Sequence, residues 1–378
     1  MTRYIQFIAI VASWLLIFGV GCTERVVTNG SSPTVESAST QVDITDQPTI
    51  VFTPAITITP IEKMVPYDKT SIWNTPIGPS PKYDPHSLEM ISNLVLSHDG
   101  KIITAGEAYN YPVYFTDEQT PRWDILCTIN KCTIASSDQD VIRTDMVQSV
   151  PIPMDAQPGE DTDARMIIID KVTLVEYDLS KAQRTTTGWT AGTVSVYNIL
   201  WDATPVRHSS RGSGIPAYAG LLRPWEIREG RIEHALAFGY TEPAEAKCVF
   251  PASKTDGDSP MDFAIPEGAR LQLDPSLTDE DFDQMGLDRT GKIIARALQE
   301  YGMILVDHSG SFKIYVEDLI NNPYTTQKWT DPGLNLTKET IYGIPYTSFR
   351  ILELPPGYWE PSVDILYHGK CLTFPGVP

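Results

Sequence analysis

The sequence predicts a mainly β fold: a β-sandwich or jelly-roll-like domain with one long helix at about 288–302 and long loops. Three observations predict it. Short runs alternate apolar and polar residues, the period of a strand with one face buried. Thirty prolines and 25 glycines in 378 residues punctuate those runs with turns. Only one long stretch keeps the 3.6-residue period of an amphipathic helix.

The elements follow in chain order. Met166–Asp170 and Leu174–Asp178 flank a short turn at Lys171–Thr173, which reads as a hairpin. Thr193–Trp201 alternates Val194, Val196, Asn198 and Leu200 against Thr193, Ser195, Tyr197, Ile199 and Trp201. Ile232, His234, Leu236 and Phe238 share one strand face. Glu229-Gly230 reads as the turn pairing that strand with one carrying Trp225 and Glu226. Ala269–Leu273 is a further strand. Met303–Asp307 is apolar on both faces, as a central strand must be, and His308–Ser311 turns it into Phe312–Val316. The helix has Asp288 or Thr290 as its cap and a stripe of Ile293, Ile294, Ala297, Leu298 and Tyr301. Gly302 follows as its terminator. Thr278–Asp283 starts a shorter helical turn. No internal repeat is visible.

The chain divides into three parts. Residues 1–22 carry Arg3, an apolar run from Ile5 to Val20, and small residues Gly19 and Gly21 before Cys22. That order is a signal peptide and not part of the fold. Its end resembles a bacterial lipobox, with Gly19 where Leu is usual. This implies a lipid on Cys22 and an extracellular, membrane-anchored protein. Residues 23–66 are a Ser/Thr/Pro-rich tether whose composition buries too little surface to offset its ordering entropy. Residues 67–378 form a single β-rich domain.

Net charge is −19, and −20 without residues 1–22, which hold one base and no acid. No basic block accompanies it, which argues against nucleic acid as a partner. Eight Trp and 17 Tyr set the chain apart from disordered acidic sequences. Beyond Cys22 the cysteines are Cys127, Cys132, Cys248 and Cys371, an even number suited to an oxidising compartment. Four cysteines allow three pairings. The nearness of Cys127 to Cys132 favours that link, leaving Cys248–Cys371.

The chain has no Gly-x-Ser-x-Gly elbow, P-loop, dinucleotide-binding glycine pattern or His-Glu-x-x-His pair. What remains for chemistry is carboxylates, histidines and aromatics. The densest stretch is Arg207–His234. Glu226, Glu233 and His234, with Asp307 at the end of its apolar strand, are the candidate acid/base groups. Neighbouring carboxylates can have their pKa values pushed apart, as work on a glycosidic bond needs. Trp225, Arg223, Arg207 and Arg211 are candidate substrate-binding residues, and Arg228 completes an arginine group that can offset the acidic surface. No metal centre or cofactor is expected. The acidic run Glu160–Asp163, with Glu176 and Asp178, is weakly compatible with Ca²⁺ but lacks the Gly and distal Glu of an EF-hand loop, and reads as a solvated loop.

Five stretches taken together carry a resemblance: Trp73–Ile77, Val150–Pro153 with Asp163, Ala217–Leu222, Gly230–Phe238 and Ala295–Asp307. Their order resembles an uncharacterised family of secreted bacterial proteins over roughly Trp73 to Val316. The family has no established reaction, so the resemblance transfers no catalytic roles. Two departures stand out: Arg165 where a His is expected near Asp163, and the loop Arg207–Gly214. The expectation is a lipid-anchored extracellular protein acting on polysaccharide, as a glycoside hydrolase or lyase; the net charge favours a neutral or basic glycan, and the arginine group keeps an acidic glycan as the alternative. The alternatives are a non-catalytic glycan-binding protein and a structural envelope lipoprotein.

Overall fold

A computed structural model describes residues 60–104, 110–137, 140–204, 211–360 and 371–372. Residues 1–22, Cys22 included, and most of the stretch 23–66 lie outside the described residues, as does Arg207.

The fold is mainly β, built from stacked sheets in a sandwich-like arrangement. The first sheet has six strands in the order Ile103–Thr104, Lys313–Ile314, Leu236–Tyr240, Met303–His308, Arg270–Leu273, Phe349–Ile351. The second runs Val113–Thr116, Met166–Asp170, Val175–Ser180, Thr193–Asn198, Cys132–Ser137, Asp140–Thr144. The third is four-stranded: Met146–Pro151, Arg122–Cys127, Gly188–Ala191, Gln183–Thr185. Pro243–Cys248 pairs with Ile265–Glu267 as a two-stranded ribbon. The helices are α1 (Ser87–Ser92), α2 (Pro224–Glu229), α3 (Asp279–Gln284) and α4 (Arg289–Glu300).

Side-chain alternation sets the layers. Met303 and Leu305 face one core with Leu298 and Phe282 of the helices, while Ile304 and Val306 face a second core with Ile167 and Ile169. Met166 and Ile168 turn the other way, into a third core with Ile125, Val147 and Trp189. A strand whose successive residues point to opposite faces can be apolar throughout only when both faces are covered. That is why Met303–Val306 and Met166–Ile169 read as unbroken apolar runs. The layers are therefore helices, first sheet, second sheet and third sheet.

The expected helix is α4. Asp288 caps it by accepting a hydrogen bond from the Gly291 N–H at 2.9 Å. Gly302 ends it at φ +71°, where a Cβ would sit 2.3 Å from the Leu271 carbonyl oxygen, so only glycine fits. Thr278 caps α3, and the hairpin around Lys171–Thr173 is present. The two disulfides are Cys127–Cys132 and Cys248–Cys371.

Three expectations need correction. The segment holding Trp225 and Glu226 is helix α2, not a strand paired across Glu229-Gly230. Pro224 opens it, the Glu226 carboxylate reaches back to the Arg223 N–H, and Gly230 closes it at φ +85°. Proline at the first helical position and glycine just past the last is a helix signature that outweighs the alternating pattern. The strand through His234 starts only at Leu236. Glu176 and Asp178 are not solvated: both are buried between the first two sheets, where they accept the N–H groups of Tyr218 and Ala217 at 2.9 Å. Burial, then the neighbouring Asp178, pushes the Glu176 carboxyl well above the usual range.

The end of the stretch 23–66 packs on the domain. Ile61–Lys63 forms a 3₁₀ turn, Lys63 and Glu62 pair with Glu229 and Lys171, and the Met64 carbonyl accepts a hydrogen bond from Arg223.

Candidate functional site

The sequence-predicted residues fall into three places. Glu226 and His234 meet, but inside the protein. Helix α2 puts Glu226 at its third position, where the carboxylate serves the helix N-terminus. It also accepts from Arg223 Nη2 at 2.7 Å and from His234 Nε2 at 2.8 Å. His234 Nδ1 lies 2.8 Å from the Ala235 carbonyl oxygen. Both ring nitrogens thus face oxygen atoms. Burial alone would raise Glu226, but the adjacent Arg223 and His234 hold it at about 2. Arg223 further donates to the Tyr218 hydroxyl and lies 4.9 Å from the half-buried Trp225 ring. Glu226 is fully buried and His234 is 3 % exposed.

Glu233 lies elsewhere, on the surface, in an exposed pair with Arg231 at 2.9 Å. Arg211 is buried. Its guanidinium sits 5.5 and 5.3 Å from the Tyr111 and Tyr315 rings and donates to the carbonyls of Ala217 and Ala219. Arg211 and Arg223 therefore form no surface basic patch.

Asp307 is the predicted residue that reaches a cleft, one of about 1040 Å³. Three parts of the fold supply its charged groups. The Met303–His308 strand ends there and turns through Ser309–Ser311 into Lys313. The loop entering Met166–Asp170 brings Asp161, Asp163 and Arg165. A long segment supplies Trp329, Lys328 and Lys338. Tyr111 and Tyr315 stack at 5.2 Å along one wall.

The polar groups interlock. Arg165 bridges two carboxylates, with Nε 3.5 Å from Asp163 Oδ2 and Nη2 3.6 Å from Asp307 Oδ2. Asp307 also accepts from the Gly212 N–H at 2.9 Å and the Tyr315 hydroxyl at 3.3 Å. Lys313 lies 4.6 Å from the Tyr315 ring centre. Burial pulls its ammonium down to about 8, more strongly than Asp307 supports it, and Arg165 adds to the depression. Arg165 itself stays charged, because Tyr111, Asp307 and Asp163 outweigh its burial.

No family model, curated protein or solved structure matches the chain.

In a chain of net charge −19, the lining holds Arg165, Lys313, Lys328 and Lys338 against Asp161, Asp163 and Asp307. The lining thus sets cations against acids nearly one for one, unlike the acidic chain as a whole. Sequence reasoning noted Arg165 only as a departure and passed over Lys313, Tyr111 and Tyr315. Lys313 interrupts the apolar run Phe312–Val316, the one visible sign that this strand end faces a polar site. The acidic loop at Glu160–Asp163 is tied up locally: Asp161 accepts the N–H groups of Asp163 and Ala164, and Asp163 faces Arg165.

Proposed function

We propose that the cleft binds an acidic polysaccharide and cleaves it by β-elimination, with Arg165 holding the uronate carboxylate and Lys313 acting as the base. The observation that carries this reading is the placement of Lys313 and Arg165 in one cleft, against the stacked Tyr111 and Tyr315. Arg165 faces its two carboxylates at 3.5 and 3.6 Å, beyond the length of close charge-assisted bonds, and a uronate carboxylate would compete with them for the guanidinium. Neutralising that group acidifies the proton on the adjacent carbon. The neutral Lys313 amine takes the proton. The electron pair forms the C4–C5 double bond, the C4–O bond breaks, and the departing sugar oxygen takes a proton from water. The cations also let a polyanion approach an otherwise repelling surface.

Affinity electrophoresis through gels holding a polyuronate or a neutral glucan tests the binding half. Retardation is expected in the polyuronate gel alone, and Arg165→Ala should weaken it by about tenfold, the worth of one hydrogen bond to a charged group. Equal retardation in both gels would count against an acidic ligand. Cleavage that releases reducing ends without a double bond would favour hydrolysis, for which Asp163 and Asp307 are the carboxylates at hand. Binding without any cleavage would leave a glycan-binding protein.

We further propose that residues 1–22 are removed and Cys22 is acylated, which would hold the domain at the outer surface of a membrane. Intact mass of the membrane fraction checks this. A mature chain that starts away from Cys22, or carries no lipid, would rule it out.

A further inference from the structure

Behind Asp307 lie two further carboxylates, Asp256 and Glu267, that the elimination does not use. Asp256, Glu267 and Asp307 each offer an oxygen, and these oxygens lie within 4.8 Å of one another. They come from three separate places: the loop after the Cys248 strand, the end of the Ile265–Glu267 strand, and the end of the central Met303–His308 strand. The loop is held close by the backbone. The His308 N–H donates to Asp256 Oδ1 at 3.2 Å, and the Asp256 N–H donates to Glu267 Oε2 at 3.3 Å. Gly212 leaves the space that the Asp256 carboxylate fills, since a Cβ there would stand 2.1 Å from Asp256 Oδ1.

A second observation points to a ligand. Glu267 is fully buried, and its Oε1 has no hydrogen-bond partner among the described residues. Leaving a buried carboxylate oxygen unpaired is costly. Three carboxylates this close also repel one another, with Lys254 and, at Asp307, Arg165 as monovalent counter-charges.

We infer that Asp256, Glu267 and Asp307 form a Ca²⁺ site at the Asp307 end of the cleft. The donor set is all oxygen, which selects a hard cation over zinc or copper. Two oxygens on opposite sides of a Ca²⁺ ion stand about 5 Å apart, given bond lengths of about 2.3–2.6 Å. Separations within 4.8 Å fall inside that span, and Mg²⁺ is usually held by one or two carboxylates rather than three. Asp256 is exposed and provides the way in, while Glu267 and Asp307 form the buried side.

Calorimetric titration of the chelator-treated protein with CaCl₂ and with MgCl₂, without polysaccharide, tests this. One saturable Ca²⁺ site, weaker binding of Mg²⁺ and a higher melting midpoint in Ca²⁺ are expected. Asp256→Asn and Glu267→Gln should each weaken Ca²⁺ binding by about tenfold or more, because each removes a charged ligand. Asp256→Asn, at the exposed edge, keeps the test valid if Glu267→Gln fails to fold. Absence of saturable Ca²⁺ binding to the wild type, or unchanged affinity in Asp256→Asn, would overturn the inference and leave a carboxyl cluster that shares protons. Because no sugar is present, failure here is separate from failure of the elimination reading.

Discussion

Arg165 reaches from the loop before the second sheet to within 3.6 Å of Asp307, at the end of the central strand of the first sheet. This contact joins the two layers at the cleft and fixes the spacing of its charged groups. Its other carboxylate, Asp163, comes from its own loop, so the pair across the layers is what makes the site depend on the fold.

Glu226 should behave as a stabilising buried ion. Glu226→Gln leaves Arg223 and His234 without their anion, and should cost about 3–5 kcal/mol, the usual loss on breaking a buried pair. The pH dependence has a definite sign. A carboxyl lowered from 4.5 to about 2 contributes stability above its unfolded value, and that stability disappears as pH falls through about 2. Wild type should thus lose about 3 kcal/mol between roughly pH 4.5 and 2 that Glu226→Gln does not lose. Parallel denaturant melts across that window would show it; identical slopes in the two proteins would refute it.

The two disulfides should differ in worth. Cys248–Cys371 spans 123 residues and Cys127–Cys132 only 5. Loop-closure entropy then gives about 5 kcal/mol for the first and about 2 kcal/mol for the second. Denaturant midpoints of Cys371→Ser and Cys132→Ser should fall in that order. The reverse order would mean that the longer link is strained or that its loop is already ordered when unfolded.

Trimming the N-terminus locates the domain edge. A chain starting at Pro60 should melt like the longer chain. One starting at Tyr67 loses the Met64 carbonyl that Arg223 uses, and should be less stable by about 1.5–3 kcal/mol, the range for a hydrogen bond to a charged group. Equal midpoints for the two would place the edge at Tyr67.

Much of the fold was legible in the sequence because its signals are local. The cap at Asp288, Gly302 after α4, and the two-faced apolar run at Met303–Val306 are each decided by neighbours in sequence. Helix α2 was legible too, from Pro224 and Gly230, but the alternation after Gly230 pointed to a hairpin and masked it. The interior place of Glu176 and Asp178 was not legible, because only the packing of the first sheet over the second covers them. The same holds for the site. Asp307 was visible as a polar end to an apolar strand, whereas Lys313, Arg165, Asp256 and Glu267 gain meaning only when distant strands converge. Glu226 and His234 were visible as unusual residues, and they meet each other in a buried ion network away from the cleft.

The most direct measurement is the rise in absorbance at 235 nm when the protein is incubated with a panel of polyuronates. Lys313→Met is run beside wild type, with a melting curve to confirm that the variant is folded. Elimination through Lys313 predicts a rise with at least one polyuronate. It predicts a rate that climbs with pH through about 8, as the ammonium gives up its proton, and a fall of about a hundredfold or more in folded Lys313→Met. No rise with any acidic polysaccharide, or a folded Lys313→Met that keeps the wild-type rate and pH profile, would contradict it.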